Sequence, residues 1–214
     1  EYLTLLGIKD LKHPVDYNLD ITNLCNLKCY MCTGASSSKL LVENNFLGFE
    51  NLNQKDYDYE EDKLSYLVDQ IEKNHVTHVT LQGGEPLMNP KIISLLEKLS
   101  VKKSAEKLSI WITTNGTMYN KKLFETLSAF EDLKIIFSID GVNKVNDYLR
   151  FPSDFSQIRS NVINYLNLKN ATFMITNVVQ NFNLLYVNDI IEFANTYNIH
   201  LHLHILTGPS ELHY

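Results

Sequence analysis

The sequence alternates short apolar stretches that suit β-strands with longer segments whose apolar residues recur every three or four positions. In the segment 60–74, for example, one helix face would contain Leu64, Leu67, Val68 and Ile71. The predicted strands are 16–22, 75–81, 108–114, 134–140, 171–179 and 200–206, and the predicted helices are 60–74, 90–100, 120–130, 154–167 and 185–198. Such repeated strand–helix units predict a parallel sheet with helices outside it.

In five of the six predicted strands, side chains alternate between an apolar and a polar face, and the strand 171–179 is ambiguous. The clearest alternation is that of Leu201, Leu203 and Ile205 with His200, His202 and His204. A sheet covered by helices on both faces would have continuous apolar strands instead. The alternation therefore predicts an α/β fold, a partial (β/α)6 TIM-like barrel with parallel strands, outer helices and a polar lumen. The three histidines are expected to line this lumen, and a metal site formed by them is the less favoured alternative.

Residues that favour turns mark the boundaries of these elements. The segment 33–59 contains Gly34, three consecutive serines and many Asn and Asp residues, which favours a long loop or lid. Ser153 is predicted to cap the helix 154–167, and Pro90 lies near the start of another helix.

Composition limits the kind of protein this can be. A chain of 214 residues with 44% hydrophobic residues suits one globular domain with a substantial core. The net charge of −6 gives no overall attraction to nucleic acids or anionic lipid, so no nucleic-acid partner is predicted. The sequence contains no apolar run long enough to span a membrane and no signal-peptide pattern. Because its few cysteines are clustered, we expect a reducing, cytoplasmic location.

All the cysteines of the chain, Cys25, Cys29 and Cys32, fall within eight residues. This spacing favours a soft metal centre over a disulfide framework. A structural zinc site would need a fourth ligand, and a redox pair of Cys29 and Cys32 would leave Cys25 unexplained. Three thiolates leave one iron of a four-iron cluster without a protein ligand, so that iron could bind a substrate or cofactor.

Residues suited to ligand binding follow the predicted strands in turn, and in parallel α/β sheets sites gather at these carboxyl ends. The cysteines follow the first strand, Gly83, Gly84, Glu85 and Pro86 the second, Asn115 the third, and Ser138 and Asp140 end the fourth. Glycines allow a ligand to approach the backbone closely, Glu85 can accept from an amine, and Ser138 with Asp140 can bind the hydroxyls of a sugar.

Taken together, these motifs resemble the radical S-adenosylmethionine superfamily from about Asp16 onward. The region 138–152 resembles more narrowly the members that carry a twitch-type C-terminal extension, related to the SPASM group. The resemblance implies a [4Fe–4S] cluster on Cys25, Cys29 and Cys32, with S-adenosyl-L-methionine on its fourth iron. It also implies cofactor contacts in which Gly83, Gly84, Glu85 and Pro86 bind the methionyl amine, Asn115 lies at the methionyl end, Ser138 and Asp140 lie near the ribose or carboxylate, and Arg150 binds the carboxylate.

The implied activity is reductive cleavage of S-adenosyl-L-methionine to a 5′-deoxyadenosyl radical that abstracts hydrogen from a substrate. The resemblance implies an external electron donor of the flavodoxin or ferredoxin type, and it makes a peptide the first candidate substrate. Two alternatives stay open: radical modification of a nucleotide or small metabolite, and a non-catalytic iron–sulfur or zinc-binding module. The cysteines and the strand-end residues favour the enzyme.

The resemblance also predicts how the chain is divided. Residues 1–15 would be a lead segment, 16–208 the catalytic barrel, and 209–214 the start of a C-terminal extension that is truncated or absent. Such extensions use further cysteines for auxiliary clusters, and these residues contain none. A second departure is Met31, which stands where the superfamily usually has an aromatic residue, with Tyr30 one position earlier.

Overall fold

Parallel strand pairing organises the part of the chain that the computed structural model describes, residues 14–48, 60–73, 75–102 and 107–207. Within these ranges, six parallel strands form one sheet in the order β1-β3-β4-β5-β7-β8. Their bounds are β1 Asp16–Asp20, β3 His78–Gln82, β4 Ser109–Thr114, β5 Asp132–Ser138, β7 Ala171–Val179 and β8 His200–Ile205. Two short strands, β2 (Lys28–Cys29) and β6 (Arg150–Phe151), form a separate antiparallel pair.

Helices connect the successive strands of the sheet. The described helices are α1 Ser38–Phe46, α2 Glu61–Glu72, α3 Pro90–Ser100, α4 Lys121–Leu127, α5 Lys144–Leu149, α6 Phe155–Tyr165 and α7 Val187–Thr196, with short 3-10 turns at Pro86–Met88 and Leu184–Tyr186. Because the strands pair in chain order and a helix lies between each pair of neighbours, the architecture is the predicted α/β partial barrel. None of these helices is long and apolar enough to cross a membrane.

The two faces of the sheet differ as the alternation predicts. One face is apolar and packs with the helices in a single core, to which Val79, Ile110 and Ile135 contribute side chains at most 1% exposed. Register partners share a face, and the other face includes Thr80, Trp111, Lys134 and Thr172 in one row across four strands. This second, more polar face is the lumen of the partial barrel.

On β8 the alternation does not correspond to burial, contrary to its apparent clarity in the sequence. Leu201 packs against the core, but Leu203 is 41% and Ile205 53% exposed. The reason is that β8 ends the sheet order and pairs with β7 alone among the described strands. Periodicity reports the face of a side chain, but burial also requires an element packed over that face.

The prediction of a loop throughout 33–59 is wrong for the nine residues of α1. The serines that suggested a loop start this helix instead. Ser37 is its N-cap and accepts from the amide of Leu40 at 3.2 Å, while its hydroxyl donates to the carbonyl of Leu27 at 2.6 Å. The remainder of the predicted loop, 49–59, lies outside the described residues.

Several predicted boundaries also need correction. The N-cap of α6 is Asp154, whose carboxylate accepts from the amide of Ser156 at 2.9 Å, because the hydroxyl of Ser153 bonds Asn146 and Asp147 instead. The strand β3 starts three residues later than predicted, and β5 both starts and ends two residues earlier. Sequence periodicity did not predict α5 or the pair β2–β6, because two to six residues are too few to show a period. Most of the predicted lead segment, 1–13, and the tail 208–214 lie outside the described residues, so the predicted division of the chain stays a prediction.

Replacing Ser37 by Ala should lower the free energy of unfolding by about 1–2 kcal/mol, because it removes both the N-cap of α1 and the donor to the Leu27 carbonyl. Urea denaturation followed by circular dichroism measures this change. Ser36→Ala is the matched control, since Ser36 is exposed and should be nearly neutral. Equal losses in the two variants would contradict the capping role.

Candidate functional site

The segment 25–32, called the cysteine loop below, lies against the ends of β3 and β4 and contains three free thiols. Cys25 and Cys29 are buried, Cys32 is half-buried, and Leu27 packs with the first two. The amide of Cys32 donates to the carbonyl of Cys29 at 3.1 Å, which closes the turn between these two residues. The loop therefore presents three thiols from one short segment.

The three thiols differ in how easily they lose a proton. A hydrogen bond from Cys32 lowers the pKa of Cys29 to about 7, against the opposing effect of burial. Burial raises the pKa of Cys25 to about 11, and the bond to Cys29 together with burial raises the pKa of Cys32 well above its ordinary value. The thiolate is the form that binds metals, so Cys29 is the thiol closest to its ligand form in the metal-free loop.

The arrangement of donors suits a cluster better than a single ion. In the described ranges, no three His, Cys, Asp or Glu side chains gather closely enough to hold one metal ion. A zinc site needs all its ligands about 2.0–2.3 Å from one atom, whereas each cysteine of a four-iron cluster binds a different iron. His200, His202 and His204 are exposed on the lumen face and belong to no such group. Three free thiols in one loop fit a [4Fe–4S] cluster.

Glu85 joins the ends of β3 and β4 from a fully buried position. Its carboxylate accepts from the amide of Asn115 at 2.6 Å, the hydroxyl of Thr114 at 2.8 Å and the amide of Leu87 at 3.1 Å. Burial raises the pKa of Glu85 to about 7, although these three bonds act in the opposite direction. Glu85 therefore positions Asn115, the residue that contacts the cysteine loop.

Gly83 and Gly84 pack tightly against the segment that leads into the cysteine loop. The amide of Gly84 donates to the carbonyl of Thr22 at 2.7 Å. A Cβ on Gly84 would lie 2.3 Å from the carbonyl oxygen of Leu24, and Gly83 has a φ of +113°. The close approach that two glycines predict is made to the chain's own backbone, and Pro86 begins the buried 3-10 turn that follows.

Asn115 and Asn26 connect the end of β4 to the cysteine loop. The side-chain amide of Asn115 donates to Asn26 Oδ1 at 2.9 Å and reaches Cys25 Sγ at 4.0 Å. Asn26 in turn donates to the hydroxyl of Thr117, and that hydroxyl donates to Asn115 Oδ1 at 2.6 Å. Asn115 was predicted as a site residue, whereas nothing in the pattern of the sequence singled out Asn26 or Thr117.

Asp140 and Arg150 form a buried ion pair behind Cys29. Arg150 Nε lies 2.6 Å from Asp140 Oδ2, in a geometry that is an ion pair but not an aligned hydrogen bond, and Arg150 Nη1 donates to Cys29 Sγ at 3.7 Å. Although burial alone would lower the pKa of Arg150, the carboxylate of Asp140 raises it overall, so the guanidinium stays charged. The other carboxylate oxygen of Asp140 accepts from the amide of Val178 at 2.7 Å.

The remaining predicted residue, Ser138, is half-buried on the lumen face, level with Thr176 and His202. Trp111 lies lower in the lumen, 36% exposed, with Lys134 Nζ 4.1 Å from the centroid of its ring. Its surroundings make it part of the lumen wall.

Tyr30 connects the cysteine loop to α5 and to the loop that follows β7. Its ring stacks on Tyr148 with centroids 5.2 Å apart and lies 5.4 Å from the ring of Phe182. Its amide donates to the carbonyl of Leu149 at 2.9 Å. The structure thus places Tyr30, the aromatic residue one position early in the motif, in contact with α5 and the loop after β7.

The fold and the site together define an α/β partial barrel with a three-thiol loop at the carboxyl edge of its sheet. The model of the Radical SAM superfamily matches residues 19–194, and the chain belongs to this superfamily. The predicted resemblance is thereby confirmed. The cofactors of this superfamily are a [4Fe–4S] cluster and S-adenosyl-L-methionine, and the three free thiols of this chain fit the cluster.

Curated proteins match about nine-tenths of the chain. It is 28% identical over 200 residues to an uncharacterized protein of Methanocaldococcus jannaschii, covering 90% of this chain and 61% of that protein. It is 25% identical over 190 residues to SkfB, the sporulation killing factor maturation protein of Bacillus subtilis, covering 89% and 42%. It is 25% identical over 195 residues to the GTP 3′,8-cyclase of Syntrophomonas wolfei, covering 89% and 55%. The chain thus spans about half the length of these relatives.

Solved structures share the fold. SuiB of Streptococcus suis bound to S-adenosylmethionine is similar with a TM-score of 0.67 and 18% identity, covering 98% of this chain and 44% of SuiB. Native anSMEcpe with bound AdoMet is similar with a TM-score of 0.64 and 22% identity, covering 88% and 51%. The likeness supports the partial-barrel architecture.

Replacing Glu85 by Gln should remove a pH-dependent destabilisation. The pKa of Glu85 rises from an ordinary 4.5 to about 7 in the folded protein, so between these values the folded state retains a proton that the unfolded chain has released. The free energy of unfolding should therefore fall as the pH rises from about 4.5 to 7, by up to about 3 kcal/mol from this group, and then level off.

Urea denaturation at a series of pH values measures this effect as the difference between Glu85→Gln and the wild type. The difference should move in favour of the variant between pH 4.5 and 7. Glu125→Gln, at an exposed position, is the control and should give a flat difference. A flat difference for Glu85→Gln as well would show that its carboxyl titrates normally.

Proposed function

We propose that this chain is the catalytic barrel of a radical S-adenosylmethionine enzyme. The observation that supports the proposal best is the placement of three free thiols in one loop, fastened to the carboxyl ends of successive strands. Membership of the superfamily supports the same function. When bound, the reduced cluster and S-adenosyl-L-methionine supply a 5′-deoxyadenosyl radical that abstracts a hydrogen atom from the substrate.

In this proposal Cys25, Cys29 and Cys32 hold three irons and leave the fourth to S-adenosyl-L-methionine. The donors offered to the cofactor are the backbone around Gly83, Gly84, Glu85 and Pro86, with Asn115, Ser138, Asp140 and Arg150. Glu85 is fully buried and bonded to the chain, so its contribution is to position the backbone amides and Asn115. Burial of Cys25 and Cys29 excludes water from the protein side of the cluster.

We further propose a peptide as the substrate. Support comes from the names of similar proteins, among them SkfB, a maturation protein, and the mycofactocin maturase MftC of Mycobacterium ulcerans. SuiB has been solved with its precursor peptide, and anSMEcpe with a peptide. A nucleotide is the second candidate, because GTP 3′,8-cyclases are similar to this chain at 25% identity.

The proposal includes an external electron donor of the flavodoxin or ferredoxin type, because one electron must enter the cluster for each cleavage. It also includes a cytoplasmic location, which the free cysteines and an oxygen-sensitive cluster favour. The relatives that this chain resembles are longer, which supports a twitch-type extension in the whole protein.

Anaerobic reconstitution of the full-length protein tests the function. We expect about four irons per chain at the three cysteines, in addition to any auxiliary cluster of the proposed extension, and, with dithionite and S-adenosyl-L-methionine, formation of 5′-deoxyadenosine. Cys25→Ala, Cys29→Ala and Cys32→Ala should each lose the cluster and at least a hundredfold of this activity, while Met31→Leu should keep the cluster. One zinc per chain and no iron would favour a non-catalytic module, and a loaded cluster without 5′-deoxyadenosine would refute the enzyme.

Deuterium transfer separates the two substrate classes. The substrate would give a hydrogen atom to the 5′-deoxyadenosyl radical and so form 5′-deoxyadenosine, which means that a deuterated substrate should label that product. We expect label from a deuterated precursor peptide encoded near the gene and none from deuterated GTP. Label from GTP alone would reverse the assignment.

A further inference from the structure

We propose that Arg150 tunes the reduction potential of the cluster by donating to Cys29 Sγ, and that Asp140 limits this effect as its counter-charge. The inference rests on the proposed function, because it requires that Cys29 ligates the cluster. It gives Arg150 a role at the cluster itself, distinct from the predicted contact with the carboxylate of S-adenosyl-L-methionine.

The contact follows from the way the chain pairs its two shortest strands. In the antiparallel pair β2–β6, Cys29 lies directly opposite Arg150. Side chains opposite each other in such a pair are neighbours, and here Nη1 of Arg150 lies 3.7 Å from the sulfur. Both residues are buried, with exposures of 4% and 7%. The backbone therefore keeps a cationic donor beside one cluster ligand.

Asp140 determines which way the guanidinium points. One of its carboxylate oxygens lies 2.6 Å from Nε, and the other accepts from the amide of Val178 at 2.7 Å. The backbone of Asp140 is held as well, since its amide donates to Asn146 Oδ1 and its carbonyl accepts from Asn183. Because Nε forms an ion pair with this carboxylate, the guanidinium is oriented so that Nη1 donates to Cys29 Sγ.

The sign of the effect follows from electrostatics. Reduction adds a negative charge to the cluster, so a nearby cation and N–H···S bonds stabilise the reduced form and raise its potential. Interactions between buried charges are weakly screened, which makes the arrangement effective. Asp140 is an anion that forms an ion pair with Nε of the same guanidinium, and its negative charge therefore lowers the potential. Arg150 and Asp140 act on the cluster with opposite signs.

This opposition provides the test. The full-length reconstituted protein is titrated by electron paramagnetic resonance without S-adenosyl-L-methionine, so that any contact with the cofactor carboxylate contributes nothing. The signal that is followed is the one that Cys25→Ala abolishes. Arg150→Gln should shift the midpoint potential to more negative values, since it leaves Asp140 uncompensated. Asp140→Asn should shift it to more positive values, and its side-chain oxygen can still accept from Val178. Arg150→Lys keeps the charge and should lie between Arg150→Gln and the wild type.

Iron content and the signal of the reduced cluster are measured first. The inference would be overturned if all three variants had full clusters and unchanged potentials while Arg150→Gln bound S-adenosyl-L-methionine more weakly. The proposed function would then remain intact. Shifts of the same sign in Arg150→Gln and Asp140→Asn would also overturn the inference. If Arg150→Gln does not assemble a cluster, the potentials of Asp140→Asn and Arg150→Lys still show the sign of the effect. A wild-type protein that binds no iron–sulfur cluster would refute the proposed function and this inference with it.

Discussion

A carboxylate can be buried only if its oxygens are hydrogen-bonded or paired with a cation, and two buried carboxylates shape this site under that constraint. Glu85 meets it by accepting three bonds that connect the ends of β3 and β4. Asp140 meets it by accepting from the backbone of β7 and pairing with Arg150. Each carboxylate thereby joins neighbouring parts of the sheet edge, and each leads to the cysteine loop through one further residue.

These two connections reach different cysteines. On one side Glu85 positions Asn115, whose amide lies near Cys25, and on the other Asp140 orients Arg150, which donates to Cys29. The segment that leads into the loop is also bonded to the end of β3, because the carbonyls of Thr22 and Leu24 accept from the amides of Gly84 and Glu85. A cluster bound here would have its protein ligands held in place by the ends of the strands.

The sequence predicted the sheet because the alternation of apolar and polar residues is a local pattern that shows the two faces of a strand. The spacing of Cys25, Cys29 and Cys32 predicted a metal centre, and the structure brings Asn115 and Arg150 into contact with this cysteine segment. The sequence did not show the roles of residues that depend on a distant partner. Ser37 caps α1 and also donates to the carbonyl of Leu27, and Asn26 donates to Thr117, which lies 91 positions away in the chain. The sequence also failed on β8, because alternation cannot show whether anything packs over Leu203. The resemblance named Arg150 for a contact with the cofactor, which stays a prediction, and its contact with Cys29 depends on a strand pair of two residues, which has no periodic signal.

The residues proposed to hold the cofactor and the surface open to a substrate lie in different parts of the barrel. The groups beside the cysteine loop are buried and bonded to one another, so their geometry limits what can bind there. The lumen wall is more exposed: Trp111 with Lys134 above its ring and His202 level with Ser138 present both apolar surface and cationic or titratable groups to a substrate. An exposed wall of this kind accommodates many ligands that differ in size and charge. In the proposed enzyme, formation of the radical would therefore depend on the buried residues at the sheet edge, whereas the choice of substrate would depend on the residues of the lumen wall.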